Sequence, residues 1–120
     1  MNTKIFLTVK VLLLLLLLFT CNNLIDNDSF SITKTIEGFI QKGPFIQGTT
    51  IIIQELDNKL NPTGKNYYST TIDDFGTFNL TSTFSAQYIE VIATGYYFNE
   101  ITGDLSSSSL TLRCLADLSE

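Results

Sequence analysis

The sequence predicts an all-β domain, an antiparallel β-sandwich of about six to seven strands. Three observations carry that reading. Beyond residue 33 the chain is built of short runs rich in Ile, Val, Thr, Tyr and Phe, broken by clusters of Gly, Pro, Asn and Asp. Within most runs apolar residues recur at every second position, the period of a strand with one buried face. No stripe at helical spacing and no internal repeat occurs there. A chain of 120 residues has room for one domain.

The domain is placed at residues 34–120. "KTIEGFIQKG" sets Ile36, Gly38 and Ile40 on one face, with Glu37 and Phe39 on the other. "TTIIIQELD" (Thr49 to Asp57) is more continuously apolar, as expected of a strand buried on both sides. "NKLNPTG" follows as a loop, because its Asn-Pro and Thr-Gly pairs are turn formers. "KNYYSTTID" alternates Tyr68, Thr70 and Ile72 against Tyr67, Ser69 and Thr71. After the turn "DDFG", "TFNLTSTF" puts Phe78, Leu80 and Ser82 on one face. "QYIEVIATGYYF" sets Ile89, Val91 and Ala93 opposite Tyr88, Glu90 and Ile92. "SSLTLRCLADL" closes the domain with Leu110, Leu112 and Cys114 on one face. The chain stops directly after this apolar run. Either that strand lies at a sheet edge or the chain is a truncated form of a longer protein.

Ahead of the domain the composition changes twice. Lys4 and Lys10 precede an apolar stretch that runs from Val11 to Phe19, and no acidic residue appears before Asp26. A membrane-spanning helix needs about 20 apolar residues. This stretch is too short, and a basic start with a short apolar middle describes a secretory signal peptide over residues 1–20. Residues 22–33, "NNLIDNDSFSIT", are polar and aperiodic and read with Cys21 as a flexible tether.

Leu18-Phe19-Thr20-Cys21 resembles the lipobox of bacterial lipoproteins, in which a leucine stands three places before an obligatory cysteine. Phe19 is bulkier than usual, and Thr20 replaces a commoner small residue. The resemblance implies cleavage before Cys21, acylation of its thiol and a lipid-anchored protein of the bacterial cell envelope, with the outer membrane as the expected location. Two or more acyl chains hold a protein stably on a bilayer, whereas one binds only reversibly. The alternative is ordinary cleavage near Thr20 and a soluble secreted protein.

A second resemblance covers roughly residues 34–98. "EGFIQKGPFIQGTTIIIQELD", "TTIDDFGTFNL" and "IEVIATGYYFN" are similar to carboxypeptidase regulatory-like domains, whose sandwich is transthyretin-like (prealbumin-like). Gly48 to Ile52 matches their second strand, Thr71 to Phe78 their "T-x-x-x-G-x-F" hairpin with Gly76 at its turn, and Gly95-Tyr96 their closing strand. Lys42-Gly43-Pro44-Phe45 departs from their commoner "G-x-P-L" turn. The resemblance implies a non-catalytic binding or structural module, or a spacer within a larger lipoprotein.

Charge and chemistry narrow the function further. Loss of Lys4 and Lys10 with the leader leaves five basic against twelve acidic residues, net −7. Such a balance argues against nucleic acid, whose phosphates call for clustered Lys and Arg. Membrane contact is therefore expected from the lipid on Cys21. Cys114, among apolar neighbours, is expected to behave as a small buried hydrophobe, and the chain has no histidine to activate it. Asp73-Asp74-Phe75-Gly76 reads as a turn in which Asp bonds backbone amides. A calcium loop would draw its ligands at alternate positions, which Phe75 interrupts. Glu100 and Asp104 flank Gly103 in a polar loop and are expected to be solvated. No phosphate loop, metal-spaced Cys/His set or nucleophile–base pair is present in the sequence, so neither a cofactor nor an enzymatic activity is expected. In a sandwich without tryptophan the aromatics at strand ends are expected to supply core volume and close its end; if they gather in the open instead, Tyr67, Tyr97 and Phe98 are the candidate ligand contacts, suited to stacking on a carbohydrate or a protein partner. The serine run 106–109 reads as a loop.

Overall fold

The computed structural model describes residues 29–119. The leader, Cys21 and tether residues 22–28 lie outside the described residues. Eight strands follow in chain order: β1 (Ile32–Phe39), β2 (Thr50–Leu56), β3 (Pro62–Thr70), β4 (Thr77–Phe84), β5 (Tyr88–Gly95), β6 (Phe98–Asn99), β7 (Asp104–Leu105) and β8 (Leu110–Asp117). The six long ones fall where the apolar alternation sets them. All pairings between them are antiparallel. One sheet has the order β3-β2-β5-β8, β1 pairs with β4 in a second, and β6 with β7 in a small hairpin.

The two larger sheets form a sandwich-like pair of layers. Ile51 and Ile53 of β2 and Ile89, Val91 and Ala93 of β5 pack against Phe78 and Phe84 of β4. Ile32 and Ile36 of β1 join them from the rim of the core. Phe45, Ile51, Ile53, Phe84 and Ile89 have no exposed surface. Burial of such side chains stabilises a fold by about 1.5–3 kcal/mol each.

Several boundaries and faces differ from expectation. β1 begins at Ile32, two residues ahead of Lys34, because Phe30 and Ile32 both pack on the core. Pro62 to Gly64, expected in a loop, belong to β3, an edge strand paired with β2 on one side only, a position where proline is tolerated. β2 is buried on one face only. Ile51, Ile53 and Glu55 point inward, while Ile52 and Gln54 are half-exposed because no layer covers the outer side. Residues 71–78 are not a hairpin: β3 pairs with β2 and β4 with β1, so this segment is an arch that crosses between the sheets. Cys114 is exposed rather than buried. It alternates onto the same side as Leu112 and Ala116, but the second sheet is two strands wide and does not reach over it.

An inward-facing charge marks one end of the core. Glu55 is 1% exposed. Its Oε1 accepts from the Tyr67 hydroxyl at 2.8 Å and the Ser85 amide at 2.7 Å, and its Oε2 from the Ser85 hydroxyl at 2.8 Å. The Lys65 ammonium donates to the same Ser85 hydroxyl. Burial pushes the Glu55 carboxyl up, but the Ser85 amide, the two hydroxyls and the Lys65 charge together outweigh it and hold the carboxyl below its ordinary 4.5. Tyr67 is pushed the other way, to about 12, by burial and then by its bond and proximity to that carboxylate. The same Tyr67 hydroxyl proton is shared with the Thr83 carbonyl, 3.0 Å away, and the ring meets Phe84 edge-on at 4.8 Å. One residue thus joins β2, β3 and β4.

Two outcomes follow from this cluster. Glu55→Ala leaves three donors without their acceptor and should lower unfolding free energy by about 2–4 kcal/mol in urea titration. Because the folded carboxyl lies below its unfolded value, its contribution is complete above pH 4.5 and is lost as the pH falls through the folded value. Glu55→Gln should therefore flatten the acid side of a stability–pH profile measured against the wild type.

Candidate functional site

At the end of the sandwich carrying the 40–49 segment, three pieces of chain converge. The arch between β3 and β4 is set by Asp73, whose Oδ1 accepts from the Phe75 and Thr77 amides, each at 3.0 Å. Partial burial raises the Asp73 carboxyl, but the Thr77 amide and hydroxyl and the Phe75 amide hold it below its ordinary value. Asp74 turns the other way and accepts from the Gln47 amide at 2.8 Å, while the Gln47 side chain donates to the Ile72 carbonyl at 3.0 Å. With both aspartates committed to backbone, Phe75 is left projecting, 70% exposed.

Beneath the arch lies a threonine lock. Thr71, 1% exposed, donates through Oγ1 to the Ile46 carbonyl at 2.6 Å and accepts from the Thr49 amide at 2.9 Å. Thr49 donates to the same Ile46 carbonyl at 2.8 Å. Two glycines permit the close approach of the strands of chain. Gly76 has φ +77°, and a side chain there would also meet the Ile40 carbonyl oxygen at 2.3 Å. A Cβ on Gly43 would lie 1.9 Å from the Phe98 carbonyl oxygen. The third piece, the β6–β7 hairpin, is held by the Phe98 amide on the Pro44 carbonyl and the Ser106 amide on the Tyr97 carbonyl, both 2.8 Å. Ser106 thereby anchors one end of the serine run.

Together these pieces wall a cleft of about 710 Å³ lined by Pro44, Ile46, Gln47, Asp74, Phe75, Phe98, Glu100 and Leu105. Phe98 is 40% and Leu105 55% exposed. No Lys or Arg lines it, and its carboxylates belong to Asp74 and Glu100. An apolar floor with acidic groups beside it suits a neutral or cationic ligand that offers a flat or aliphatic face.

The structure separates the three aromatics named from sequence. Phe98 lies in the cleft. Tyr97, one residue earlier, points to the other side, where it stacks on Phe45 at 6.0 Å and carries the Lys42 ammonium 5.6 Å above its ring. Tyr67 belongs to the Glu55 cluster, inside the sandwich. Glu100 and Asp104 are both exposed. Among the described residues no three His, Cys, Asp or Glu side chains come together in a metal-binding group. Phe75 and Leu105 were not among the sequence-derived candidates. The available signal was an apolar residue at the tip of a turn whose polar neighbours are all spent on backbone. Comparison with family models, curated proteins and solved structures finds no match to this chain.

Substitutions should separate scaffold from surface. Gly43→Ala and Gly76→Ala each force backbone apart and should cost about 2–4 kcal/mol, read as a fall in Tm. Phe75→Ser removes an exposed ring and should change stability by no more than about 0.5 kcal/mol. Chemical denaturation of the three variants checks the contrast.

Proposed function

We propose that this chain is a lipid-anchored protein of the bacterial cell envelope whose transthyretin-like sandwich is a non-catalytic binding module. The cleft between the arch and the β6–β7 hairpin is its recognition surface. The observation that carries the binding assignment is the convergence of Phe75, Phe98 and Leu105 from separate segments into one open cleft. Exposed apolar side chains gathered on a braced scaffold are a feature of interaction sites, whereas single scattered ones need no explanation. The ligand class follows from the lining: a carbohydrate face or a protein segment without net negative charge.

The anchor rests on Leu18-Phe19-Thr20-Cys21 and on the shortness of the apolar leader. In this reading the anchor joins the domain at the Ile32 end of β1, which pairs with Phe84, and the cleft sits beyond Phe39, about 25 Å along the strand from the tethered end. Removal of residues 1–20 leaves the protein acidic, so lipid rather than charge accounts for membrane attachment in this reading.

Each half has its own measurement. Metabolic labelling with a fatty acid should mark the wild type and leave Cys21→Ser unlabelled; equal incorporation in both ends the anchor assignment. Titration of the protein with a panel of neutral oligosaccharides and lysine-containing peptides, followed by NMR, should shift Phe75, Phe98 and Leu105 resonances. The shifts should vanish in the Phe75→Ala, Phe98→Ala double variant. A panel that moves none of these resonances, or moves them equally in the variant, overturns the cleft assignment.

A further inference from the structure

The edges of the sheets are not built alike. β3 carries features that discourage pairing with another chain: Pro62 has no N–H, Gly64 sits at φ +92°, Lys65 lies on the strand, and the ladder to β2 shifts register between Gln54 and Leu56. The free edge of β4 is occupied from within the molecule. The Tyr67 hydroxyl bonds the Thr83 carbonyl, and the Ser69 hydroxyl bonds the Asn79 carbonyl at 2.8 Å. β8 has neither protection. It follows β5 without a break from Leu110 to Asp117 and contains no Pro, Gly or Lys. Among the described residues, the one side-chain bond to a β8 carbonyl is a long 3.5 Å contact of the Cys114 thiol with its own neighbour Leu115. Leu115 is 58% exposed, and Cys114 is exposed on the opposite face.

We propose that β8 is the interface between two copies of this chain, joined edge to edge and antiparallel about a two-fold axis at Cys114. A second copy is the occupant because the strand is self-complementary in one register. Antiparallel partners must share hydrogen-bonding parity, so the axis falls on a residue and not between two. The longest ladders centre on Arg113 or Cys114. A centre at Arg113 sets two guanidinium groups directly opposite, which is destabilising. A centre at Cys114 sets Leu112 opposite the partner's Ala116, Arg113 opposite the partner's Leu115 and Thr111 opposite the partner's Asp117. Each Arg113 then faces an apolar residue, with the partner's Asp117 on one diagonal and the partner's Arg113 on the other, and its long side chain can turn toward the carboxylate. Arg113 already meets Glu90 through Nη1 at 3.0 Å and keeps further N–H groups for that second carboxylate. A centre at Leu115 pairs only Arg113 to Asp117 and forfeits the start of the strand.

Trapping reads both the contact and its register. The test rests on the proposed acylation of Cys21, checked by fatty-acid labelling, which leaves Cys114 as the one free thiol of the exported chain: membranes bearing the full chain are treated with copper phenanthroline in air, which takes two electrons and two protons from a pair of adjacent thiols, and run on a non-reducing gel. The wild type should give a disulfide-linked dimer, and Cys114→Ser should give none. In the Cys114→Ser background, Arg113→Cys and Leu115→Cys should crosslink about tenfold more slowly, because their self-pairs are diagonal, 7–8 Å apart rather than 4.5–5.5 Å. Leu115→Lys, on the exposed face, sets a like charge opposite the partner's Arg113 and should abolish the Cys114 crosslink while leaving circular dichroism and Tm unchanged. Equal crosslinking at all three positions would mean random collision and would overturn the proposal. So would faster trapping at position 113 or 115, or an undiminished dimer in the folded Leu115→Lys variant.

Discussion

A layer of two strands lies on a layer of four, and that mismatch in width shapes the rest of the molecule. Apolar side chains can be fully buried only where the layers overlap, so the core is concentrated on the central strands β2 and β5 and on the inward residues of β4. The flanking strands must settle their inner faces differently. β3 and the Thr71 that follows it turn Tyr67, Ser69 and Thr71 inward and spend their hydroxyls on Glu55, β4 carbonyls and the Ile46 carbonyl. β8 turns Leu112, Cys114 and Ala116 inward and leaves Cys114 in solvent. One flank is closed by hydrogen bonds; the other stays open.

Polar residues inside the fold are consequently structural and fully engaged. No buried side-chain nitrogen or oxygen among the described residues lacks a partner. Glu55 closes one end by tying β2 to Tyr67 and to the turn at Ser85, where its burial is offset by three donors. Thr49 and Thr71 close the other by converging on the Ile46 carbonyl. This second end also accommodates the crossing between sheets. Because the crossing uses Asp73 and Asp74 for backbone bonds and Gly76 for its positive φ, the Phe75 ring is left to face solvent. The cleft is thus a by-product of how the chain changes layers, braced by the same bonds that make the crossing possible.

Much of the candidate site could be read in advance as turn chemistry but not as a site. Asp73 and Gly76 announce the turn, and Gly43-Pro44 and Gly103 announce two more. Their convergence is a long-range fact: Gly43 must touch Phe98, fifty-five positions away, and neither residue carries a local mark of the other. Tyr67, Tyr97 and Phe98 look equivalent along the chain, each an aromatic near a strand end. Yet one serves Glu55, one stacks on Phe45 and one opens to the cleft. Side-chain direction at a strand end depends on which sheet the next element joins, and that is settled by packing.

The amino-acid order by itself determined six long strands, their buried faces on β1, β4 and β5, and the turns between them, because alternation and turn residues act over a few neighbours. The short apolar run from Val11 to Phe19 and the cysteine after it are equally local features of the sequence. Tertiary structure alone decided that residues 71–78 form an arch instead of a hairpin, that β2 has one buried face and that Cys114 is exposed. It also decided which aromatics meet in a cleft. Each of these turns on the number of strands in the facing layer and on which strand sits beside which, quantities to which distant residues contribute and no short stretch of sequence is sensitive.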